Sequence, residues 1–304
     1  MKKVHFESIA DYYHTLGKPM PEHPLIDVFS FSAEEQKHTA RCMQDNQVIS
    51  ANFYCIALKT VLTGEILYGK TKYDCQNGTM LFFAPNQTFY TTGVQVESVG
   101  KMILFHEDYL RGHELQSQLK KCRFFDYAVN EALHLSPKEQ QLICRIFDSI
   151  EAEYHSSYDA LSREIMLSQM STLLRYAERF YRRQFLVRKE FHSSIYESFN
   201  NLLYQYMYVS DVYRTPSISD IAQQLNMTPR YLTDALKVET GKSAKESIQL
   251  ALVDKAKNLL LSSNDSVATV AYSLGFEYPQ YFSRLFKNKV GITPTEYRKQ
   301  TARH

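Results

Sequence analysis

Two stretches of this chain repeat one another, and the repeat restricts what it can fold into more than any other feature. Ser217 to Leu225 (SISDIAQQL) aligns with Ser266 to Leu274 (SVATVAYSL) at an offset of 49, so that Ser217 meets Ser266, Ile221 meets Val270, Ala222 meets Ala271 and Leu225 meets Leu274. After one inserted residue the match resumes at an offset of 50. There Pro229, Tyr231, Lys237 and Gly241 meet Pro279, Tyr281, Lys287 and Gly291, while Leu232 and Leu236 meet Phe282 and Phe286. A period of this size marks one supersecondary unit present twice.

Each copy predicts a helix-turn-helix. A short first helix presents a small residue, Ala222 or Ala271, where the second helix must cross closely. The turn, Asn226-Met227 or Gly275-Phe276, supplies a residue that tolerates positive φ. The second helix opens on proline, and Thr228 is placed to cap it in the first copy. Leu232 and Leu236, or Phe282 and Phe286, lie four apart and define its buried side. The opposite side carries Arg230, Thr233, Asp234 and Lys237 in the first copy, and Gln280, Tyr281, Ser283, Arg284 and Lys287 in the second. These side chains hydrogen-bond base edges and phosphates when their helix lies in a major groove. Between the copies, Ile248, Leu252, Ala256, Leu259 and Leu260 recur at helical spacing from Ala244 to Leu261. A rigid helix there would hold the two recognition helices apart by an amount comparable to one turn of B-DNA, about 34 Å.

The run Gly275-Phe276, Tyr281-Phe282-Ser283-Arg284-Leu285-Phe286-Lys287, Gly291-Ile292-Thr293-Pro294 and Tyr297-Arg298 resembles the C-terminal hallmark of the AraC/XylS family of bacterial regulators. With Ser217 to Ser243 and Ala256 to Leu260, the resemblance covers roughly the last hundred residues. It implies a seven-helix, bipartite domain that binds double-stranded DNA and activates transcription through contact with RNA polymerase. By that match Arg230, Thr233 and Asp234 fall at base-reading positions of the first recognition helix, and Pro279, Gln280, Tyr281 and Arg284 at those of the second. Lys237, Lys287 and Arg298 are expected on phosphates. Two positions depart from the family pattern. Asp234 puts an acid where many members carry a basic or polar reader, and Leu252 stands where many carry arginine.

The remainder reads differently. A chain of 304 residues predicts at least two domains, and 44% hydrophobic with 22% charged residues is ordinary for a folded protein. The net charge of +2 is small, but residues 191–304 hold 13 Lys and Arg against 10 Asp and Glu. That mild excess suits a nucleic-acid module without proving one. Five cysteines, odd in number and without a CxxC pair, read as reduced cytosolic thiols. The polar stretch from Met1 to Gly17 does not read as a signal peptide, and no apolar run approaches the roughly 20 residues needed to cross a bilayer. A cytoplasmic location and no membrane partner are expected.

Residues 25–105 are rich in β-branched and aromatic residues, with strands expected at Val48–Lys59, Glu65–Lys70, Thr79–Ala84 and Val94–Phe105. Ser136-Pro137-Lys138-Glu139 is a capping box that starts a helix, and a second helix is expected from Asp159 to Phe185. The expected organisation is a cupin-like sensor domain over 1–115, a helical linker or dimerisation segment over 116–187, and a double helix-turn-helix domain over 188–304. The fold class is α+β: an N-terminal cupin-like β-barrel or sandwich with following helices, then an all-α C-terminal domain with two helix-turn-helix units. The cupin-like resemblance rests on Gly78, Phe82-Phe83-Ala84-Pro85 and the exit Phe105-His106-Glu107-Asp108-Tyr109-Leu110. Lys59 to Asp74 contains no histidine, so no metal and no cofactor are expected, and His106 and His113 read as a solvated turn and a helix start. A barrel without metal encloses a small molecule. Tyr54, Tyr68, Phe83 and Tyr90 are candidates to line it, among aromatics most of which are core, and Arg41 and Lys59 to neutralise an anionic effector. A homodimer through the front domain or the 136–185 helices is expected. The alternatives are a cupin-type enzyme, for which no Ser/His/Asp set or phosphate loop is found, and a DNA-binding protein without a ligand.

Overall fold

In the computed structural model the chain divides into two units, Met1–Gln184 and Phe185–His304. The structure describes residues 2–35, 39, 47–63, 66–68, 71–73, 78–90, 97–128, 131–157, 159, 161–191, 195–209 and 216–301. Arg41 lies outside them.

The first unit is built on β4 (Tyr54–Thr63), whose neighbours are β7 (Thr79–Phe83) and β9 (Glu97–Phe105). With β2 (Ile26–Phe31) and β10 (Leu133–His134) they make a five-stranded antiparallel sheet in the order β10-β7-β4-β9-β2. A second sheet, β1-β3-β8, joins Lys2–Phe6, Gln47–Ala51 and Phe89–Tyr90, and among the described residues β5 (Ile66–Tyr68) pairs with β6 (Thr71–Tyr73) alone. The expected Val48–Lys59 strand is thus two strands, broken at Asn52-Phe53.

Of the expected barrel or sandwich, a closed barrel is not formed: among the described residues the edge strands β10 and β2 do not pair with one another. The reason is visible in the burial of three successive residues. Ile56, Ala57 and Leu58 are all buried, although neighbours in a strand point to opposite faces. Both faces of the sheet are therefore covered without closure. On one face Tyr54 stacks on Phe105 at 5.0 Å, and Phe82 meets Phe124 at 4.5 Å and Tyr181 at 6.3 Å. Phe124 belongs to a short 3-10 turn, and Tyr181 to α4 (Ser162–Phe191), the fourth helix after α1 (Ile9–Leu16), α2 (Glu114–Leu119) and α3 (Pro137–Tyr154). On the other face, Phe6, Ile9, Tyr13, Ile49, Phe53 and Leu104 form a continuous cluster. Burying each large apolar side chain contributes about 1.5–3 kcal/mol, so a sheet sandwiched this way has no need to curl upon itself.

The helices start where local chemistry places them. Ser136 accepts from Glu139 N–H while the Glu139 carboxylate accepts from Ser136 N–H at 2.7 Å, completing the expected capping box. Ile143, Phe147 and Ile150 of α3 are fully buried, as are Met170, Leu173, Leu174 and Ala177 of α4. These stripes pack inside the first unit. Lys101 fastens α3 to the sheet through Asp148 at 2.7 Å and Glu151 at 3.2 Å. Glu151 in turn accepts from the Ser30 backbone N–H at 2.8 Å.

The second unit is helical among its described residues: α5 (Ile195–Tyr204), α6 (Ile218–Gln224), α7 (Pro229–Thr240), α8 (Ala244–Ser262), α9 (Val267–Ser273), α10 (Pro279–Val290) and α11 (Pro294–Thr301). The long helix α8 buries Ile248, Leu252, Val253, Ala256 and Leu260, and α7, α9, α10 and α11 all pack on it. Leu252, the departure from the family pattern, is a core residue.

Candidate nucleic-acid interface

The two copies of the repeat fold into two helix pairs with the same local construction. Ser217 caps α6 and Ser266 caps α9, each hydroxyl accepting from the backbone N–H three residues on. Ala222 and Ala271 are fully buried, as close helix crossing requires. Asn226 at φ 54° and Gly275 at φ 83° make the turns, and each turn is closed by a backbone bond to the small residue: Met227 N–H to Ala222 O at 2.9 Å, Phe276 N–H to Ala271 O at 3.0 Å. Gly241 and Gly291 end α7 and α10 in the left-handed conformation that only glycine enters freely. The structure also extends the repeat one helix further than sequence matching carried it. Ser243 caps α8, and Thr293 holds the same position before α11. The signal was present in Glu246 and Glu296, three residues beyond each cap.

The faces of α7 and α10 sort as their spacing requires. Leu232, Ala235 and Leu236 are buried on α7, and Phe282 and Phe286 on α10. Arg230 and Lys237 are exposed on α7, with Thr233 and Asp234 half-buried; the Thr233 hydroxyl donates to Pro229 O at 2.7 Å. Gln280, Tyr281, Arg284 and Lys287 are exposed on α10, with Pro279 and Ser283 half-buried. The structure thus presents every expected reader on one of two helices packed against α8. At the matched tyrosines the copies part. Tyr231 is fully buried with its ring against Phe185 at 4.9 Å, whereas Tyr281 is 53% exposed with the Arg284 guanidinium over it at 5.3 Å. Two further exposed tyrosines, Tyr272 and Tyr278, flank the same helix pair and escaped the sequence reading, since neither helical period nor polarity distinguishes an exposed tyrosine from a core one.

Arg298 requires a correction. Its Nε donates to Leu260 O at 2.9 Å and its Nη1 to Asp265 O at 2.7 Å, so it ties α11 to the end of α8 rather than presenting itself to a phosphate. Backbone carbonyls left over at a helix C-terminus accept such bonds readily.

Of the front-unit candidates, the described side chains Tyr54, Lys59 and Phe83 do not share one face of the sheet. Tyr54 lies on the helix-covered face, while Phe83 and Lys59 lie on the opposite one, as the strand alternation from Tyr54 to Lys59 and the pairing of Cys55 with Phe83 dictate. Lys59 places its ammonium 5.9 Å from the Phe31 ring centre, and Phe83 packs against Ala57, Leu81 and Ala132. The strands carrying Tyr68 and Tyr90 are described, their side chains are not. His106 and His113 are helix caps, accepting from Asp108 N–H and Leu115 N–H. Burial pushes the Cys55 and Cys122 thiols up to about 12, far from the range of a reactive thiolate. No described helix is long and apolar enough to cross a membrane.

Residues 221–300 match the family model described as a helix-turn-helix domain. The chain is 33% identical over 97 residues to the uncharacterized HTH-type transcriptional regulator YisR of Bacillus subtilis, covering 32% of this chain and 34% of that protein. It is 23% identical over 192 residues to the lactose operon transcription activator of Staphylococcus xylosus, covering 62% of this chain and 64% of that one. Among solved structures it is similar to the C-terminal domain of the response regulator yesN from Fusobacterium nucleatum, with 26% identity, a TM-score of 0.32, and 35% and 99% of the two chains covered. The chain spans about a third of the length of YisR and of the Msm operon regulatory protein of Streptococcus mutans. Two capped helix pairs in one register, on residues that match this family, make the C-terminal region a helix-turn-helix domain of the AraC type.

Proposed function

We propose that the chain is a sequence-specific, double-stranded-DNA-binding transcriptional regulator that lays α7 and α10 into successive major-groove segments. The observation that carries this reading is the pairing of two exposed polar helix faces on one rigid support. The 19-residue α8 is about 28 Å long, close to the roughly 34 Å of one B-DNA turn. Arg230, Thr233 and Asp234 read bases from α7, and Pro279, Gln280, Tyr281, Ser283 and Arg284 from α10, while Lys237 and Lys287 hold phosphates. The similarity to the lactose operon activator is longer than Phe185–His304 and so extends into the first unit. It supports a reading in which the first unit senses a small molecule and the protein activates transcription through RNA polymerase, in the cytoplasm. Dimerisation would use what α3 and α4 leave outside the core, where Leu161 and Ile165 remain exposed.

The test measures full-length variants by fluorescence anisotropy on a selected operator and a scrambled duplex at fixed salt. Arg284→Ala is expected to cost about 1–3 kcal/mol on the operator alone, because guanine O6 and N7 accept two parallel guanidinium bonds. Lys287→Ala is expected to weaken both duplexes alike and to shallow the salt dependence. Asp234→Asn is expected to weaken the operator alone if Asp234 accepts from a cytosine amino group; tightening of both duplexes would instead make it a bystander that phosphates repel. Equal losses from Arg284→Ala on both duplexes would refute base reading by α10.

A further inference from the structure

Resting on the reading above, we infer that Tyr278, at the N-cap of α10, is a positioning residue for Arg284 and so a determinant of sequence discrimination. Tyr278, Tyr281 and Arg284 lie three residues apart in succession, which places them along one side of the helix. Their contacts form a ladder. The Tyr278 and Tyr281 rings meet edge to face, 5.7 Å apart at 90°, and the Arg284 guanidinium lies over the Tyr281 ring at 5.3 Å. Tyr278 and Tyr281 are 47% and 53% exposed, so neither ring is there to fill a core.

The N-cap supplies a second, independent observation. Thr228, at the matched position before α7, caps its helix by accepting from Tyr231 N–H at 3.2 Å. Tyr278 has the extended backbone of an N-cap, φ −126° and ψ 116°, yet no side-chain cap bond. Serine, threonine, aspartate and asparagine are strongly favoured there because their oxygens satisfy free N–H groups. The helix therefore forgoes a stabilising cap for an exposed ring whose aromatic contact is Tyr281. A long, flexible arginine loses much rotamer freedom when it grips a base pair. Holding it over a buttressed ring beforehand removes part of that loss and leaves its N–H fork free at the edge.

The test uses the full chain with two readouts. In the free protein, nitrogen-15 relaxation at Arg284 Nε is expected to show greater mobility in Tyr278→Ser and no change in Tyr278→Phe, which keeps the ring. On DNA, Tyr278→Ser is expected to lower the operator-to-scrambled affinity ratio by about two- to fivefold. It is expected to raise the thermal midpoint, since serine caps, and to leave the ratio unchanged in an Arg284→Ala background. Unaltered Arg284 mobility, an equal loss on both duplexes, or full additivity with Arg284→Ala overturns the ladder. Failure of the DNA-reading proposal looks different: Arg284→Ala alone would leave the ratio untouched while the free-protein mobility still responded to Tyr278→Ser.

Discussion

The two helix pairs of the second unit share the serine cap of their first helix, turn conformations, helix lengths and terminal glycines, yet they treat their common tyrosine in opposite ways. Tyr231 is enclosed, its ring against Phe185 and its helix packed on α5. Tyr281, at the same register, stands in solvent beneath Arg284. The charges diverge along with the rings. Arg284 occupies in α10 the position that Asp234 occupies in α7, so the second copy presents Arg284 and Lys287 while the first sets Asp234 between Arg230 and Lys237. A duplicated scaffold has kept its local geometry and divided its surface chemistry. The first copy is built into its surroundings, and the second is built outward.

This contrast can be broken most directly at the tyrosines. Tyr231→Ala is expected to destabilise the protein by about 3–5 kcal/mol, the range for removing a large buried ring. Tyr281→Ala, at an exposed position, is expected to stay within about 0.5 kcal/mol. Urea unfolding of the two variants checks this, and similar midpoints for both would erase the distinction. A smaller effect comes from the caps. Thr228→Ala is expected to cost about 1 kcal/mol by thermal unfolding, because it removes the hydroxyl that accepts from Tyr231 N–H.

The smallest effect concerns the helices that follow each pair. Glu296 accepts from the Thr293 backbone N–H at 2.8 Å and from its hydroxyl at 2.7 Å, which holds its carboxyl below the usual range. In the first copy Glu246 turns instead to Lys289 at 3.5 Å. A depressed folded-state pKa means that the contribution of Glu296 is fully present above the unfolded value, near 4.3, and is lost as pH falls through the folded one. Thermal midpoints of wild type and Glu296→Gln are therefore expected to differ slightly at pH 7 and to converge below about pH 4. A gap that stays constant with pH would remove the charge from this cap.

Much of the second unit was legible because its signals are local. Ser217, Thr228, Ser266 and the glycines after α7 and α10 act on backbone groups a few residues away, so their types and spacing carry their roles. The same holds for Ser136 and Glu139 in the first unit. The polar faces of α7 and α10 followed from the four-residue spacing of Leu232 with Leu236 and Phe282 with Phe286. What sequence reading missed depends on partners far along the chain. The open sheet arises because α4 and the 123–126 turn cover the face that a barrel would have enclosed, and nothing in Tyr54 to Lys59 announces that cover.

By itself, then, the sequence determined a duplicated helix-turn-helix with its caps, its turns and its two polar faces, since each is set within one or two helical turns of backbone. Only the tertiary structure decided that Tyr231 is core and Tyr281 is surface, that Arg298 is occupied by Leu260 O and Asp265 O, and that Tyr54 and Lys59 face opposite ways into different packing. Burial and hydrogen-bond occupancy are properties of the neighbours a fold supplies, and those neighbours lie some 30 to 70 residues away in sequence.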